Sequence, residues 1–474
     1  MKAISCAALI VAASLGVSAA SYVVKWDGRD PNRLVVTAAV SINGSKLQME
    51  RSWPGDVPSV AEKGWPALVH DLRVADASGH VLSYTGNGPS GWMLTAPYNG
   101  ELSLTYTVDY SEAAAANWPA PREAAFADAD HFSFSGKSLF ITTPGSGAAD
   151  VTFALSTGWQ TVAPWPQVAR NHFRPAATDD ILDNIIVLTR VAPDVISAGG
   201  FRVTVTSMGK WMGVRPRTKK IVANVLPFYI KMMGAESGSY SVILLPISDT
   251  GGESYRNSFA FNVVNTPTEQ DSPVWGQTIA HEIFHYWNGW RLRGTDYPSS
   301  QWFQEGFTDY AADMAMAGSR SITVRNFLDR LDNDLARYRA LATPLDAPGN
   351  HKGPPLYGGG ALVALCWDIQ IRNATGGKSG LADAFRAVWL RSERGSRTYE
   401  WHDIKMALDQ TAHIDWDGFY RKYIHGTEKL PLAETFALAG LRIAKSENGT
   451  EKVEIDPSAT PKARSLFRAL TGRR

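Results

Sequence analysis

The chain has 474 residues, which is long enough for two or more domains. Its 47 basic and 46 acidic residues leave a formal net charge of +1. This balance lacks the excess of positive charge typical of nucleic-acid-binding proteins, so we expect no nucleic-acid partner.

Residues 1–20 are predicted to form a secretory signal peptide. They contain Lys2, an apolar run and the small-residue site Val17-Ser18-Ala19. The apolar run is short for a membrane span, and no later segment has the length and apolarity for one. We therefore expect a secreted or periplasmic protein with no membrane span after signal cleavage.

Residues 21–180 show the alternation of polar and apolar residues that is typical of strands. Examples are RLVVTAAVSI, LSLTYTVDY and SLFITTP, which are separated by turns rich in Gly, Pro and Asp. We expect the many Trp and Phe residues of this region to form a core rather than a binding platform. The pattern predicts an N-terminal β-sandwich-like domain.

Residues 181–441 combine strand and helix patterns. Strand-like segments such as FRVTVTS and YSVILLPI come first, and the pattern is mainly helical from residue 273 onward. The predicted fold class is therefore α+β, with the β domain followed by an α+β domain whose C-terminal part is mainly helical. Residues 442–474 are polar and basic, and we expect a short, partly ordered surface tail.

The segment HEIFH, residues 281–285, places two histidines four positions apart. On a helix such residues lie one turn apart on the same face, so His281 and His285 can bind one metal ion between them. Glu282 would then lie beside the ion, where it can accept a proton from a water molecule. The alternative is a pair of core histidines whose ring nitrogens are hydrogen-bonded within the protein.

The residues around HEIFH predict that helix. Ser272 and Pro273 are typical of an N-cap and a first helical position, and Gly289 is typical of a helix end. Apolar residues recur at helical spacing in VWGQTIAHEIFHYWN. We therefore expect a helix over about residues 273–288.

A second predicted helix, WFQEGFTDYAADMAMAG at residues 302–318, supplies a candidate third ligand. We expect Ser299 or Ser300 to cap it. Catalytic zinc sites have three protein ligands, and Glu305 lies among aromatic residues, where an unpaired charge is costly. Asp309, one turn later, can accept a hydrogen bond from a ligand histidine. The alternative for Glu305 is an exposed helix carboxylate.

The motifs HEIFHYWNGWRLRG and WFQEGFTDY resemble those of the glycyl aminopeptidase family of gluzincin metallopeptidases. The resemblance continues in residues 356–389 and 419–441, and more loosely in the N-terminal segments 52–82 and 131–145. It covers roughly residues 35–441. It implies a thermolysin-like α+β zinc catalytic domain behind the β domain, and a peptide substrate.

The resemblance also implies a role for each matching residue. His281, His285 and Glu305 would bind one Zn²⁺ ion per chain, and Glu282 would be the general base. Tyr357 matches the tyrosine of the family's Tyr-x-Lys-Gly motif, which donates a hydrogen bond to the oxyanion. A neutral phenol in this position stabilises developing negative charge. The alternative for this tyrosine is a packing aromatic residue.

The chain departs from the family pattern where the substrate amine is expected to bind. The family's Gly-Gly-x-Glu-His-Arg-Asn-Ser stretch reads GGESYRNS at residues 251–258, so Ser254 replaces the amine-binding glutamate. Gly251, Gly252 and Glu253 remain candidate substrate-binding residues. Neighbouring strand residues point to opposite faces, so Glu253 would face away from the substrate unless a bulge turns it. The preference for a free amine is then weaker.

Two further departures concern the Tyr-x-Lys-Gly motif and the C-terminus. Gly359 replaces the lysine, and three consecutive glycines at residues 358–360 predict a less rigidly held Tyr357. Members of the family usually end in a PDZ domain, and we expect residues 442–474 to be too few for one.

The sequence therefore predicts a zinc-dependent metallopeptidase, namely an aminopeptidase that releases N-terminal residues from short peptides. Three alternatives stay open: an endopeptidase, a zinc hydrolase with a non-peptide substrate, and a catalytically idle relative that binds peptides. Arg256, Arg291 and Arg293 are candidates for binding a substrate carboxylate, with ion pairs within the protein as the alternative. The sequence does not indicate an oligomeric state.

Overall fold

The computed structural model of the protein describes residues 19–51, 57–115, 125–234, 237–247, 249–348, 353–393, 397–445 and 449–472. The expected signal peptide lies outside these ranges up to residue 18. None of the helices in these ranges combines the length and the apolar character that a membrane crossing requires.

The chain divides into two compact units. The first comprises the residues up to Thr161 together with Trp165–Arg190, and the second comprises Val162–Pro164 together with the residues from Val191 onward. The first is mostly β-structure and the second contains the long helices, so the predicted α+β class is confirmed.

The part of the chain before residue 190 consists mostly of strands. These are β1 (Ala20–Trp26), β2 (Arg33–Gln48), β3 (Val69–Asp76), β4 (Tyr84–Gly86), β5 (Gly91–Asp109), β6 (Ala125–Ala127), β7 (His131–Ser135), β8 (Ala149–Leu155), β9 (Gln160–Val162), β10 (Gln167–Ala169), β11 (His172–Phe173) and β12 (Ile185–Thr189). Within the described residues, four short α-helices accompany them: α1 (Pro58–Lys63), α2 (Ser111–Ala115), α3 (Gly136–Leu139) and α4 (Thr178–Leu182).

These strands form two sheets. The larger has the order β10-β11-β8-β1-β2-β5-β3, with β4 paired to β5, and the smaller has the order β6-β7-β12-β9. Aromatic rings connect them: the Trp26 ring on β1 lies 6.0 Å from Phe132 on β7 and 4.4 Å from Trp159. These aromatic residues are therefore core residues, and the described part of the domain is sandwich-like, as the sequence predicts.

In the part of the second unit that the structure describes, the strands form one five-stranded sheet and two short strand pairs. The strands are β13 (Asp194–Ala198), β14 (Phe201–Ser207), β15 (Gly238–Leu244), β16 (Gly251–Tyr255), β17 (Ser258–Asn262), β18 (Arg293–Gly294), β19 (Thr398–Tyr399), β20 (Leu441–Lys445) and β21 (Glu451–Ile455). The five-stranded sheet has the order β13-β14-β15-β17-β16, so the GGESY strand β16 lies at its edge. An edge strand leaves backbone groups unpaired and can bind an extended peptide.

Ten helices of this unit lie within the described residues. They are α5 (Arg215–Met233), α6 (Ser272–Phe284), α7 (Tyr297–Gly318), α8 (Val324–Arg339), α9 (Pro354–Thr375), α10 (Leu381–Glu393), α11 (Trp401–Thr411), α12 (Trp416–Tyr423), α13 (Leu432–Leu438) and α14 (Pro461–Leu470). Helix α7 is buried along nearly its whole length, so it is the central helix of the unit.

Helix α6 begins at Ser272, one residue before the predicted start, with Asp271 rather than Ser272 as its N-cap residue, and it ends at Phe284, earlier than predicted. The chain then turns tightly: the Trp290 amide donates to the His285 carbonyl, and Gly289 has a φ of 141°. A φ in this region favours glycine. The turn places the carbonyl of Asn288 beside the His285 ring. This non-helical geometry depends on tertiary contacts that helical periodicity does not reveal.

Helix α7 begins earlier than predicted. Asp296 is its N-cap residue, and Pro298 lies in its first turn, where a missing amide proton costs nothing. The predicted caps, Ser299 and Ser300, lie inside the helix, and the Ser300 hydroxyl donates to the Tyr297 carbonyl.

The C-terminal segment is packed rather than partly ordered, which corrects the expectation from its composition. Strands β20 and β21 form a hairpin, and the Val453 amide of this hairpin donates to Asp332 on α8 at 2.6 Å. Helix α14 buries Leu466, Phe467 and Leu470 in the core. Its apolar residues recur at helical spacing, while its polar and basic residues face outward.

Candidate metal centre

Helices α6 and α7 bring three metal-binding side chains together. His281 and His285 lie one turn apart at the end of α6, and Glu305 lies on α7. The Oε2 atom of Glu305 lies 3.3 Å from Nε2 of His281 and 3.3 Å from Nε2 of His285. All three residues are buried, so their polar atoms require partners.

Each histidine ring is fixed through its other nitrogen. His281 Nδ1 lies 2.8 Å from Asp309 Oδ1, which also accepts a hydrogen bond of 3.0 Å from Gln277 Nε2. His285 Nδ1 lies 2.7 Å from the Asn288 carbonyl oxygen. Because a carboxylate and a carbonyl oxygen accept hydrogen bonds, both Nδ1 atoms carry a proton, and both Nε2 atoms are left to act as ligands.

The donor set fits a metal cation. Two Nε2 atoms and a carboxylate oxygen converge, and only a cation or additional protons on the histidines makes this arrangement favourable. Burial raises the pKa of Glu305, but the neighbouring His285 and His281 have a larger opposite effect. The pKa of Glu305 is therefore well below its usual range. The carboxylate is therefore ionised. Two histidines and one glutamate also form a recurring ligand set of catalytic zinc sites.

Without a metal, the same contacts favour protonated histidines. Burial opposes a charge on His281, but the carboxylates of Asp309 and Glu305 outweigh that effect and raise its pKa well above the usual value. A metal ion competes with this proton for Nε2. Metal affinity at this site should therefore fall as the pH falls.

Asp309 belongs to a buried charged network behind the ligands. Arg330 Nε donates to Asp313 Oδ1 at 3.1 Å, and Arg330 Nη2 lies 4.0 Å from Asp309 Oδ1. Burial raises the pKa of Asp313 to about 6, although Arg330 partly offsets the effect. Arg330 thus balances negative charge next to the carboxylate that orients His281.

Glu282 lies beside the cluster with one carboxylate oxygen unpaired. Its Oε2 atom is buried and has no hydrogen-bond partner among the described residues. Burial raises the pKa of this carboxyl group, and His285 and His281 partly offset that effect. A carboxylate oxygen with free lone pairs next to the ligands can accept a proton from water.

Tyr357 approaches the same cluster from the first turn of α9. Its ring centroid lies 6.1 Å from that of His281. Burial raises the pKa of its phenol, and the carboxylates of Glu305 and Glu282 raise it further. The phenol therefore stays protonated and can donate a hydrogen bond beside the ligands.

The edge strand β16 brings Ser254, rather than Glu253, to the cluster. The Ser254 hydroxyl interacts with the Glu282 carboxylate and offsets a small part of the rise in its pKa that burial causes. Strand β16 pairs with β17 in continuous register, without a bulge, so Glu253 lies on the opposite face. Gly251 and Gly252 precede them on the same edge strand, and a Cβ atom on Gly252 would lie 2.4 Å from the ring of Phe259.

Three other residues of the site were not predicted from the sequence. Gln277 lies one turn before His281, a helical spacing that could have identified it. Asn288 acts through its backbone carbonyl, which gives no residue-type signal. Arg330 lies on α8, and only the tertiary structure places it behind Asp309.

The chain matches two family models. Residues 39–188 match the peptidase M61 N-terminal domain, and residues 275–345 match M61 glycyl aminopeptidase. The second match includes His281, His285 and Glu305. No curated protein matches the chain.

Among solved structures, the chain is similar to the crystal structure of an aminopeptidase N family protein from Idiomarina loihiensis. The two sequences are 17% identical, and the match covers 94% of this chain and 82% of that chain with a TM-score of 0.74. A likeness at this identity supports the fold. The two domain matches, in their order along the chain, and the buried ligand set agree with it: the chain is similar to the M61 glycyl aminopeptidases in both domains, which supports a metallopeptidase.

Proposed function

We propose that the protein is a zinc-dependent aminopeptidase that releases N-terminal residues from short peptides. The observation that carries the proposal is the convergence of His281, His285 and Glu305 beside the unpaired Glu282 carboxylate. One Zn²⁺ ion held by these three side chains would polarise the scissile carbonyl and lower the pKa of a water molecule.

Glu282 moves the proton in this reaction. Its Oε2 atom accepts a proton from the attacking water, whose oxygen forms a bond to the carbonyl carbon. The carbon–nitrogen bond then breaks, and Glu282 delivers the proton to the leaving amine nitrogen. Tyr357 donates a hydrogen bond to the former carbonyl oxygen while that oxygen is negatively charged.

Endopeptidase activity is a second candidate, and β16 favours it. Ser254 occupies the place next to Glu282 and carries no charge that would attract a substrate ammonium group. Glu253 lies on the other face of the strand. A cleft without a carboxylate at this place accepts blocked or internal peptide segments at a smaller electrostatic cost.

We also propose that the protein is exported to the periplasm or secreted. The support comes from the sequence: a basic start, an apolar run and the Val17-Ser18-Ala19 site. Strand β1 begins at Ala20, directly after this site. N-terminal sequencing of the protein recovered from the cell exterior or periplasm tests this proposal, and a retained N-terminus in the cytoplasm contradicts it.

The decisive experiment uses zinc-loaded protein and matched peptides with free and acetylated N-termini. Stepwise loss of single residues from the free peptides alone, read by mass spectrometry, supports the aminopeptidase. Cleavage of both sets at internal bonds supports the endopeptidase. Zinc-loaded protein that cleaves neither set contradicts both and leaves a non-peptide hydrolase or an idle peptide-binding relative.

The Glu282→Gln variant tests the mechanism. Glutamine has nearly the same shape but does not accept the proton, so turnover should fall by about 10²–10⁴-fold or more. Zinc content, measured by atomic emission, should stay at the level of the unsubstituted protein. A variant that keeps its activity rules out Glu282 as the general base.

A further inference from the structure

Arg293 lies at the edge of the metal centre. Its Cζ atom lies 5.4 Å from the ring centroid of Trp290 and 5.4 Å from that of Tyr297. Trp290 Nε1 lies 3.5 Å from the Ser254 hydroxyl oxygen, and Ser254 interacts with the proton-accepting Glu282. A line of contacts thus connects the guanidinium group to the general base.

Tyr297 connects the same guanidinium to the metal ligands. Burial and the charge of Glu305 raise the pKa of the Tyr297 phenol, and Arg293 acts in the opposite direction. Tyr297 therefore lies within electrostatic reach of both groups. Together the two lines of contact place Arg293 within the length of a few extended peptide residues from the ligands.

The charge of Arg293 is not neutralised by the described part of the chain. Arg293 is exposed, and no Asp or Glu oxygen of the described residues lies within 4.0 Å of its side-chain nitrogens. Two buried or half-buried arginines of this unit do have carboxylate partners: Arg330 binds Asp313 and Arg372 binds Asp368. Arg293 instead contacts aromatic rings.

Such contacts hold a guanidinium group in place and leave it able to bind an external anion. Aromatic rings restrain the flexible arginine side chain by cation–π attraction, which does not use up its hydrogen-bond donors. The planar array of N–H groups matches the two oxygens of a carboxylate. The neighbouring Ser254 adds no negative charge that would compete for the guanidinium.

We propose that Arg293 binds a carboxylate of the substrate, so that the enzyme selects peptides that carry one close to the scissile bond. This inference rests on the proposed function, because it requires a peptide in this cleft. The carboxylate belongs either to an acidic side chain or to the free C-terminus of a very short peptide. Both present the same planar anion to Arg293.

Isothermal titration calorimetry on the zinc-loaded Glu282→Gln protein tests the inference without turnover. The probes are trialanine against trialanine amide, and Ala-Glu-Ala amide against Ala-Gln-Ala amide. The peptide with the recognised carboxylate should bind about tenfold more tightly than its uncharged partner. The first pair reports on the free C-terminus and the second on an acidic side chain.

The same titrations in an added Arg293→Gln background should abolish the preference, and Arg293→Lys should retain part of it. Arg291→Gln is the matched control, since Arg291 stacks on Tyr286 with its Cζ atom 4.2 Å from the ring centroid. This control should keep the full preference. Because Arg293 is exposed, its substitution should leave folding intact, which the unfolding temperature checks.

A preference that survives in Arg293→Gln overturns the inference, as does equal binding within both pairs. The proposed function is judged separately, by hydrolysis of the same four peptides with Glu282 intact. If the peptides are hydrolysed but Arg293→Gln does not change the binding preference, only this inference is wrong. If none of the four peptides binds or is hydrolysed, both the inference about Arg293 and the proposed function are wrong.

Discussion

Gly360 on α9 packs directly against Gly306 on α7. A Cβ atom on Gly360 would lie 2.8 Å from the Cα atom of Gly306 and 2.1 Å from the carbonyl oxygen of Trp302. Real side chains do not tolerate such distances, so the two helices can approach this closely only with glycine. The contact lies next to Glu305 and one turn from Tyr357, so it sets the distance between these two residues.

Gly360→Ala should therefore separate α7 from α9. We expect a loss of about 1–3 kcal/mol in the free energy of unfolding, as for other overpacked core positions. We also expect a fall in kcat, because Tyr357 moves relative to the ligands. Thermal unfolding and steady-state kinetics measure the two effects.

The control for this substitution is Gly213→Ala. Gly213 is not in the positive-φ region, and a Cβ atom there would meet nothing within 4 Å. The Gly213→Ala substitution should change neither the free energy of unfolding nor kcat by an appreciable amount. If Gly360→Ala behaves like Gly213→Ala, the close contact does not position Tyr357.

The glycine run shows where sequence reasoning failed at the site. Three glycines in succession predicted a loose backbone around Tyr357, but they lie in the 22-residue helix α9. Cβ atoms on Gly358 and Gly359 would lie 2.7 Å from the Asp334 carbonyl oxygen and 2.6 Å from Leu345 Cδ2. The glycines tighten the packing. Only the positions of neighbouring helices reveal this, and a single sequence does not contain them.

Asp309→Asn should weaken metal binding. The amide oxygen can still accept a hydrogen bond from His281 Nδ1 but carries no charge to raise the basicity of the ring. Substitutions of such hydrogen-bond partners lower metal affinity by about 10–100-fold. Competition with a chromogenic chelator measures the zinc affinity. Asp329→Asn, at an exposed α8 position that binds Arg325, is the control. Equal affinities of the two variants would contradict the role of Asp309.

Ser254→Glu should strengthen the preference for free over acetylated N-termini. The new carboxylate would lie at the position that faces the general base, where it can bind a substrate ammonium group. We expect the ratio of cleavage of free to acetylated peptides to rise by about tenfold. Ser254→Gln has the same size without the charge and should leave the ratio unchanged. A ratio that rises equally in both variants reflects shape and not charge.

Residue patterns along single strands and helices predicted much of the fold, but they do not show contacts between elements. Strand alternation in β2 reflects burial of one face and is observed, whereas helix α7 is buried on nearly all sides and shows no such one-sided pattern. The alternation of side chains along β16 was sufficient to predict that Glu253 faces away from the site. The helical stripe of Ala463, Leu466 and Phe467 was equally readable, but the polar composition of the segment obscured it. Side chains such as Arg330, which approach from another helix, leave no local pattern.

Asp334 on α8 provides a test of the charged network through the pH dependence of stability. It is 1% exposed, and neither carboxylate oxygen has a hydrogen-bond partner among the described residues. Burial raises its pKa well above the usual value, the charge of Asp313 adds to this, and Arg330 opposes it. The folded protein thus holds this proton to a higher pH than the unfolded chain does.

Stability should therefore fall as the pH rises from about 4, the pKa of an unfolded aspartate, to the raised pKa, by about 1.4 kcal/mol for each pH unit in that interval. Asp334→Asn removes this titration, so the variant should gain unfolding temperature over the unsubstituted protein at pH 8 and gain less at pH 5. Thermal unfolding of metal-free samples, monitored by circular dichroism, avoids pH-dependent loss of the metal, and the comparison with the unsubstituted protein cancels the titration of the ligand histidines. The exposed Asp329→Asn should show no pH-dependent difference. A gain for Asp334→Asn that is the same at both pH values, or a loss at pH 8, would mean that Asp334 is not held protonated by burial.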